Sequence, residues 1–334
     1  MRRLEIILLR LAWFVPTIIG LVAIVFAISH VIPTDPVRVI AGELATVEQV
    51  EALRVQLGYD KPLPVQLLNY FRELATGDMG TSLYSQQPIV EDLMHRLPAT
   101  LELTLASIVL ASLLGVPLGV LSALRRNTLF DHVLRVITVS GLAVASFWLA
   151  MQLQYLFSMR LAVAPLNGRF SGFPPEPVTG LLLVDAVLAG DWEALCVALS
   201  HMALPALTLA LPAAATIVRF TRAGVLDVIN SNAVLYERAM GLPDSLIVWK
   251  YVLRSALIST VTQIGLIFGA LLSGAVVVEA VFDWPGLGTY AVNSILQSDH
   301  KAIMGFVIWA GGMFVAVNLA VDILHTIIDP RGTR

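Results

Sequence analysis

Uncharged apolar runs alternate along the whole chain with shorter stretches that carry charge. A helix needs about 20 predominantly apolar residues to cross a hydrocarbon core, and six runs reach that length: residues 11–34, 103–124, 136–159, 194–218, 255–278 and 302–321. The pattern predicts an all-α integral membrane protein with six transmembrane helices. A further apolar stretch at 177–184 is too short to span and reads as an interfacial or buried segment.

Between the first two runs lies a long polar segment. Thr46 with Gln49 three residues later forms a capping box, followed by Val50, Leu53 and Leu57 on one face, and Gly58 is placed to end that helix. Pro62 and Pro64 then interrupt the chain before "VQLLNYFRELATGD", which puts Leu67, Leu68, Phe71 and Leu74 on an apolar side. This divides the chain into an N-terminus with the first span (1–32), a subdomain expected on the extracytoplasmic side (33–98) and a five-helix core (99–334), with a charged loop at about 227–256.

Composition supports the membrane reading. Hydrophobic residues make up 57% of the 334 and charged ones only 13%, with a mean hydropathy of +0.81, whereas soluble domains carry about 25% charged residues. Thirteen of the 21 basic residues fall at the N-terminus, around Arg125, Arg126 and Arg135, in the 219–254 segment, and at Arg331 and Arg334. By the positive-inside rule these segments, including both termini, are expected on the cytoplasmic side. The first apolar run is too long for a secretory signal and lacks a small-x-small cleavage site, so it is expected to be retained.

The chemistry that can be excluded is informative. None of the three lysines, Lys61, Lys250 and Lys301, sits in a G-x-x-x-x-G-K-[ST] loop, and no two histidines are four apart as H-E-x-x-H requires. There is no G-x-S-x-G elbow. The single cysteine, Cys196, permits neither an internal disulfide nor a cysteine metal cluster and reads as a packed thiol. Polar groups inside the runs remain. Asn318, Asp322 and His325 share a stripe of the last run and read as structural glue. Gln152, Gln154 and Gln263 either hydrogen-bond between helices or line a translocation path.

The charged stretch "NAVLYERAMGLPDSLIVWKYVLRSALIS" (232–259) reads as two short helices with a tight elbow. Asn230 or Ser231 caps the first, Gly241 ends it in a left-handed conformation, and Pro243 begins the second. The second is too apolar for free solution and too charged to span, so it is expected to lie against the bilayer surface or in the groove of a partner.

This stretch resembles the coupling loop of binding-protein-dependent ABC importer permeases, with "ERAMGL" and "VLRSALIS" at the matching places. The resemblance extends through "IPTDPV", "LGYDKPLPVQ", "GDMGTSL", "RLPATLELT", "GVPLGVLSALRRNTLFD", "GRFSGF", "HMALPALTLA", "VVVEAVFDWPGLG", "NLAVDILH" and "DPR". Together these blocks are similar to the first permease subunit of dipeptide, oligopeptide and nickel importers.

The resemblance implies a type I (MetI-like) permease fold in a bacterial inner membrane, with half of a pore supplied by this chain. A homologous second permease, two ATP-binding cassette subunits holding ATP and Mg, and an extracytoplasmic binding protein would complete the system. No nucleic acid and no cofactor or metal site in this chain are implied. Glu237, Arg238, Ala239, Met240, Gly241, Leu242, Pro243 and Asp244 would form the ATPase-coupling loop, and Trp284, Pro285, Gly286 and Tyr290 a docking or gating surface for the binding protein. Solutes carried on this scaffold include peptides, nickel chelates, glutathione and opine-like compounds. Two positions depart from the family pattern: Glu237 replaces a small residue, and Ser259 replaces a proline. The alternative is a secondary transporter coupled through intramembrane polar residues.

Overall fold

Residues 2–31, 36–41, 45–56 and 58–328 are described by a computed structural model. Leu57, the end of the first run at Thr34, the 32/33 division, Arg331, Arg334 and the side chain of His325 lie outside the described residues.

The described residues are mostly helical. In order the helices are α1 (Arg2–Val31), α2 (Pro36–Ala41), α3 (Val47–Gln56), α4 (Leu63–Ala75), α5 (Ile89–Leu124), α6 (Leu129–Ala143), α7 (Ser146–Leu153), α8 (Leu182–Ala189), α9 (Trp192–Ile229), α10 (Asn232–Ala239), α11 (Asp244–Leu246), α12 (Leu253–Gly274), α13 (Val276–Val281), α14 (Leu287–Leu296) and α15 (His300–Ile328). Two π-helical segments, Gln154–Arg160 and Ile247–Val252, extend α7 and join α11 to α12. Among the described residues the only strand-like pairing is a bridge between Thr81 and Pro88.

Among the described residues five helical stretches are long and apolar enough to cross a membrane, and a sixth is obtained if the pair Leu129–Ala143 and Ser146–Arg160 counts as one broken span. That pair, which carries the third run, is bent by 101°. The bend follows "TVSG" (138–141), four weak helix formers, and is made by Val144 and Ala145, both with extended ψ. The sequence pattern predicted a continuous segment here because no proline marks the break.

The long helices approach closely where glycines face bulkier residues. A Cβ on Gly115 would meet Ile217 at 2.7 Å and one on Gly119 would meet Thr221 at 2.7 Å, so α5 and α9 pack almost backbone to backbone. A second seam joins α12 to α15, where Gly269 faces Val317 at 3.1 Å. α1 leans on α15 through Val22, Val25 and Ile308.

The polar segment before α5 folds onto this bundle. The capping box forms as expected, Thr46 N–H donating to Gln49 Oε1 at 3.0 Å and Gln49 N–H to Thr46 Oγ1 at 3.3 Å. Gly58 follows the end of α3 with φ of 73°. In α4, Tyr70, Phe71 and Leu74 pack against α1, but Leu68 is exposed because the inward stripe passes through positions 67, 70, 71 and 74. α5 begins at Ile89, with Pro88 at its N-cap, so the expected division at 98/99 falls inside a continuous helix. The short apolar stretch 177–184 forms a turn entering α8. Cys196 is exposed on α9 rather than packed, because the buried stripe of that turn passes through Ala194 and Ala198.

Gly119→Ala should lower stability by about 1–3 kcal/mol, the usual cost of overpacking a tight core. The check is thermal unfolding in detergent, with Gly141→Ala, where a Cβ would meet nothing within 4 Å, as the neutral control.

Candidate functional site

Two polar assemblies occupy opposite ends of α5. Near its start, Thr100 and Glu102 are buried; near its end, so is Ser122.

At the first end, the segment 276–296 is pinned to α5 as a lid. Trp284 is fully buried and its indole N–H donates to the Ala99 carbonyl at 2.9 Å. The Thr100 hydroxyl donates to Glu279 Oε1 at 2.7 Å and accepts from Leu287 N–H at 2.8 Å. Glu279 Oε2 accepts from Gly288 N–H at 2.6 Å. Gly286 is required by contact, since a Cβ there would collide with both Glu279 and Thr100. Burial pushes the Glu279 carboxyl up to about 7, against the downward pull of its hydrogen bonds from Thr100, Gly288 and Thr289.

The loop 161–181 is fastened beside the lid. Arg169 forms an ion pair with Glu102, its Nε at 3.1 Å, and also donates to the Gly180 carbonyl at 3.0 Å. Leu183 N–H closes on Glu102 Oε1 at 2.6 Å. Asp185 receives Thr179 N–H and Oγ1 and Gly180 N–H. Burial alone would raise its pKa, but these donors outweigh it and hold the carboxyl below its ordinary value. Ser171 hydrogen-bonds His201 Nε2 at 2.8 Å, and Gly168 N–H reaches the Phe282 carbonyl at 2.8 Å.

These contacts revise the expected docking surface. Trp284, Gly286 and Tyr290 lie inside the protein, and only Pro285 of the four is exposed. Their burial follows from the Thr100 and Ala99 anchors, which draw the turn inward. Arg96 stacks over the Tyr290 ring at 4.7 Å.

At the other end, α9 runs into the 227–256 loop. Asn230 is its C-cap and Ser231 the N-cap of α10, though the Ser231 side chain makes no capping bond. Gly241 has φ of 77°, and Leu242 N–H reaches back to the Glu237 carbonyl at 3.3 Å, a Schellman-type closure. Arg238 pairs with Asp244 at 3.2 Å across the elbow. Val234 and Ile247 are buried against Val120, Ala123, Val225, Val252 and Ala256. Leu235, Tyr236, Met240 and Trp249 point outward and are each more than half exposed. Glu237 is half-buried, whereas Ala239 is exposed.

The elbow exists, but the second short helix does not stand alone. Pro243 is the N-cap, with ψ of 139°, and Asp244 is the first helical residue. From there the helix continues to Gly274 through the π segment. No glycine or proline occurs between Pro243 and Gly265. Ser259 Oγ donates to the Ala256 carbonyl at 3.0 Å.

The three glutamines lie on two elements. The Gln154 amide is consumed by the Leu166 and Val281 carbonyls, at 2.8 and 3.1 Å, so it ties the π segment to the lid. Gln152 is exposed and Gln263 on α12 is half-buried. Asn318 faces Gly269 of α12, and Asp322 is exposed. Among the described residues no group of three His, Cys, Asp or Glu side chains could hold a metal.

Comparison with known proteins identifies the scaffold. Residues 115–334 match the binding-protein-dependent transport system inner membrane component family, and residues 3–104 match the N-terminal model of that membrane component. The chain belongs to this family. It is 43% identical over 328 residues, 97% of this chain and 96% of the relative, to the probable D,D-dipeptide transport system permease protein DdpB of Escherichia coli K12. It is 37% identical over 333 residues, 98% of each chain, to the dipeptide transport system permease protein DppB of the same strain. It is also 37% identical over 321 residues, 96% of each chain, to the glutathione transport system permease protein GsiC of Pectobacterium atrosepticum.

The protein is therefore a MetI-like permease subunit of a binding-protein-dependent importer and not itself an enzyme; ATP hydrolysis belongs to separate subunits. This decides between the two transport classes that the sequence allowed. Sequence reasoning singled out neither the Glu279–Thr100 latch nor the Glu102–Arg169 pair. The available signal was a carboxylate abutting each apolar run, in "VVVEAVF" and "ATLELT".

The lid should weaken as pH rises. With its carboxyl raised from 4.5 to about 7, the native state holds more protons than the unfolded chain between those values. The contribution is therefore fully present below pH 4.5 and is lost as pH passes 7, by on the order of 3 kcal/mol. Hydrogen exchange at Leu287 and Gly288 across that window measures it, and Glu279→Gln should flatten the slope.

Proposed function

We propose that this permease forms half of the translocation pore of an ATP-driven importer for short peptides or related small solutes. A homologous permease completes the pore, and two ATP-binding cassette subunits act on the loop at 227–256. The reading is supported most by that loop, where exposed Leu235, Tyr236, Met240 and Trp249 flank an elbow locked at Gly241. An apolar helix face held at a fixed angle is what a groove on a soluble partner can grip. Glu237 to Asp244 would then form the joint through which nucleotide-driven closure reaches the pore.

The basic-residue asymmetry supports a cytoplasmic location for this loop and both termini. The lid and the segment preceding α5 then face outward, where a binding protein delivers solute. With Trp284, Gly286 and Tyr290 inside, they shape that face from beneath, and exposed Pro285 together with the fully exposed Phe173 supplies contact surface. The peptide class rests on the relatives, whose names specify dipeptide, D,D-dipeptide and glutathione transport.

Reconstituted alone in proteoliposomes, the permease should give no ATP-dependent uptake; solo uptake would overturn the assignment. Gly241→Val tests the joint. A Cβ at Gly241 would meet nothing within 4 Å, so the cost is backbone strain alone, about 1–2 kcal/mol. The complex should still co-purify, while uptake per ATP hydrolysed should fall. Normal coupling in an assembled complex would make the loop a passive connector.

A further inference from the structure

We propose that the bent pair α6–α7 is the lever that carries movement of the 227–256 loop to the lid, pinned at one end by Asp131–Arg222 and at the other by Gln154–Val281. The proposal rests on the reading of that loop as the ATPase joint.

The first pin lies in the last turns of α9, between the loop and the core. Arg222 engages Asp131 with both edges of its guanidinium, Nε to Oδ1 at 2.8 Å and Nη2 to Oδ2 at 2.9 Å. Asp131 is fully buried and also receives the Ser122 hydroxyl at 2.6 Å and Asn127 N–H at 3.1 Å. Arg135 of α6 approaches it at 3.7 Å. One carboxylate thus joins α5, α6 and α9. The adjacent residue of α9, Thr221, contacts Thr260 of α12 at 3.3 Å. A shift of the loop therefore reaches α6 and α12 through the same turn.

The remainder of α6 is lightly held. Asp131 and Leu134 are its only buried residues, while Val133, Val136, Ile137 and Val139 face outward. With so little apolar packing, the angle of α6 to α9 is governed by the ion pair, whose planar fork fixes orientation as well as distance. Beyond the 101° elbow, α7 buries only Ala150 in the lid-side core. The π segment that follows has no fully buried residue, packs Phe157 against the lid-side core, and is tied to the lid by Gln154, whose amide donates to Val281, two residues from Glu279. A bent pair held by polar contacts at each end, with only Leu134, Ala150 and Leu153 packed inward between them, can carry displacement from one end to the other.

The complete complex, with both permeases, both ATPases and the binding protein, should be reconstituted with Asp131→Asn, Arg222→Lys, Gln154→Ala and the Asp131→Asn/Gln154→Ala double variant. Assembly is read by co-purification, and coupling as solute imported per ATP hydrolysed. Each single variant should assemble at wild-type level but import about tenfold less per ATP, with the double no worse than a single because both pins serve one linkage. Wild-type coupling in assembled single variants would overturn the lever, as would multiplying losses in the double. Failure of every variant to assemble would also overturn it, leaving the pins as folding elements only. Gly241→Val measured alongside separates the two readings. If it uncouples while the pin variants do not, only the lever is wrong; if it too couples normally, the ATPase joint and the lever fall together.

Discussion

The seam between α5 and α9 is the contact on which the arrangement of the other spans depends. Gly115 and Gly119 lie one turn apart on α5, and any side chain at either would occupy space taken by Ile217 or Thr221. In a bilayer, lipid tails solvate apolar side chains as well as another helix does, so association depends on close van der Waals packing. Glycines permit that closeness. Two helices of 36 and 38 residues, each containing two prolines, are thereby fused into a spine on which the other spans are arranged.

The spine also sets the spacing of the polar groups. Glu102 and Ser122 are separated by 20 positions on α5, about 30 Å at 1.5 Å per residue, which matches the hydrocarbon thickness of a bilayer. The Glu102–Arg169 and Asp131–Arg222 pairs therefore bracket an apolar slab. Buried pairs gain little over apolar packing, yet removing one partner typically costs 3–5 kcal/mol. Their value here is orientational: each closes a loop or a short helix onto the spine at a single angle, where apolar contacts between lipid-facing helices would allow sliding.

Much of this was legible in the apolar pattern. Five of the six runs correspond to single long helices because the pattern measures length in hydrocarbon, and the capping box at Thr46 formed because its partners are local. Gly241 was legible for the same reason, since a left-handed terminus is a property of a few adjacent residues. What the pattern could not carry were breaks and pairings set by tertiary contact. The 101° bend lacks a proline, and the continuity of Asp244 with α12 runs through a π segment that no local signal marks. The inward turn of Trp284 depends on Ala99 and Thr100, 185 and 187 residues away in the contacts they make with the lid. A tryptophan beside a Pro-Gly turn reads as a surface anchor until its partner is known.

Differences in packing across the molecule separate what stays still from what can move. The α5–α9 spine buries small residues along its whole length, whereas α6, α7 and the π segment keep most of their apolar surface outward. Regions with few buried contacts open at lower free energy than the core around them. A transporter that alternates its access needs both kinds of region in one chain, because a uniformly tight bundle would resist every change and a uniformly loose one would leak. Small residues at the seam and polar ties at the ends of the loosely packed elements meet these two requirements with side chains that perform no chemistry. A permease subunit can for that reason lack any catalytic constellation and still have its function set by particular residues.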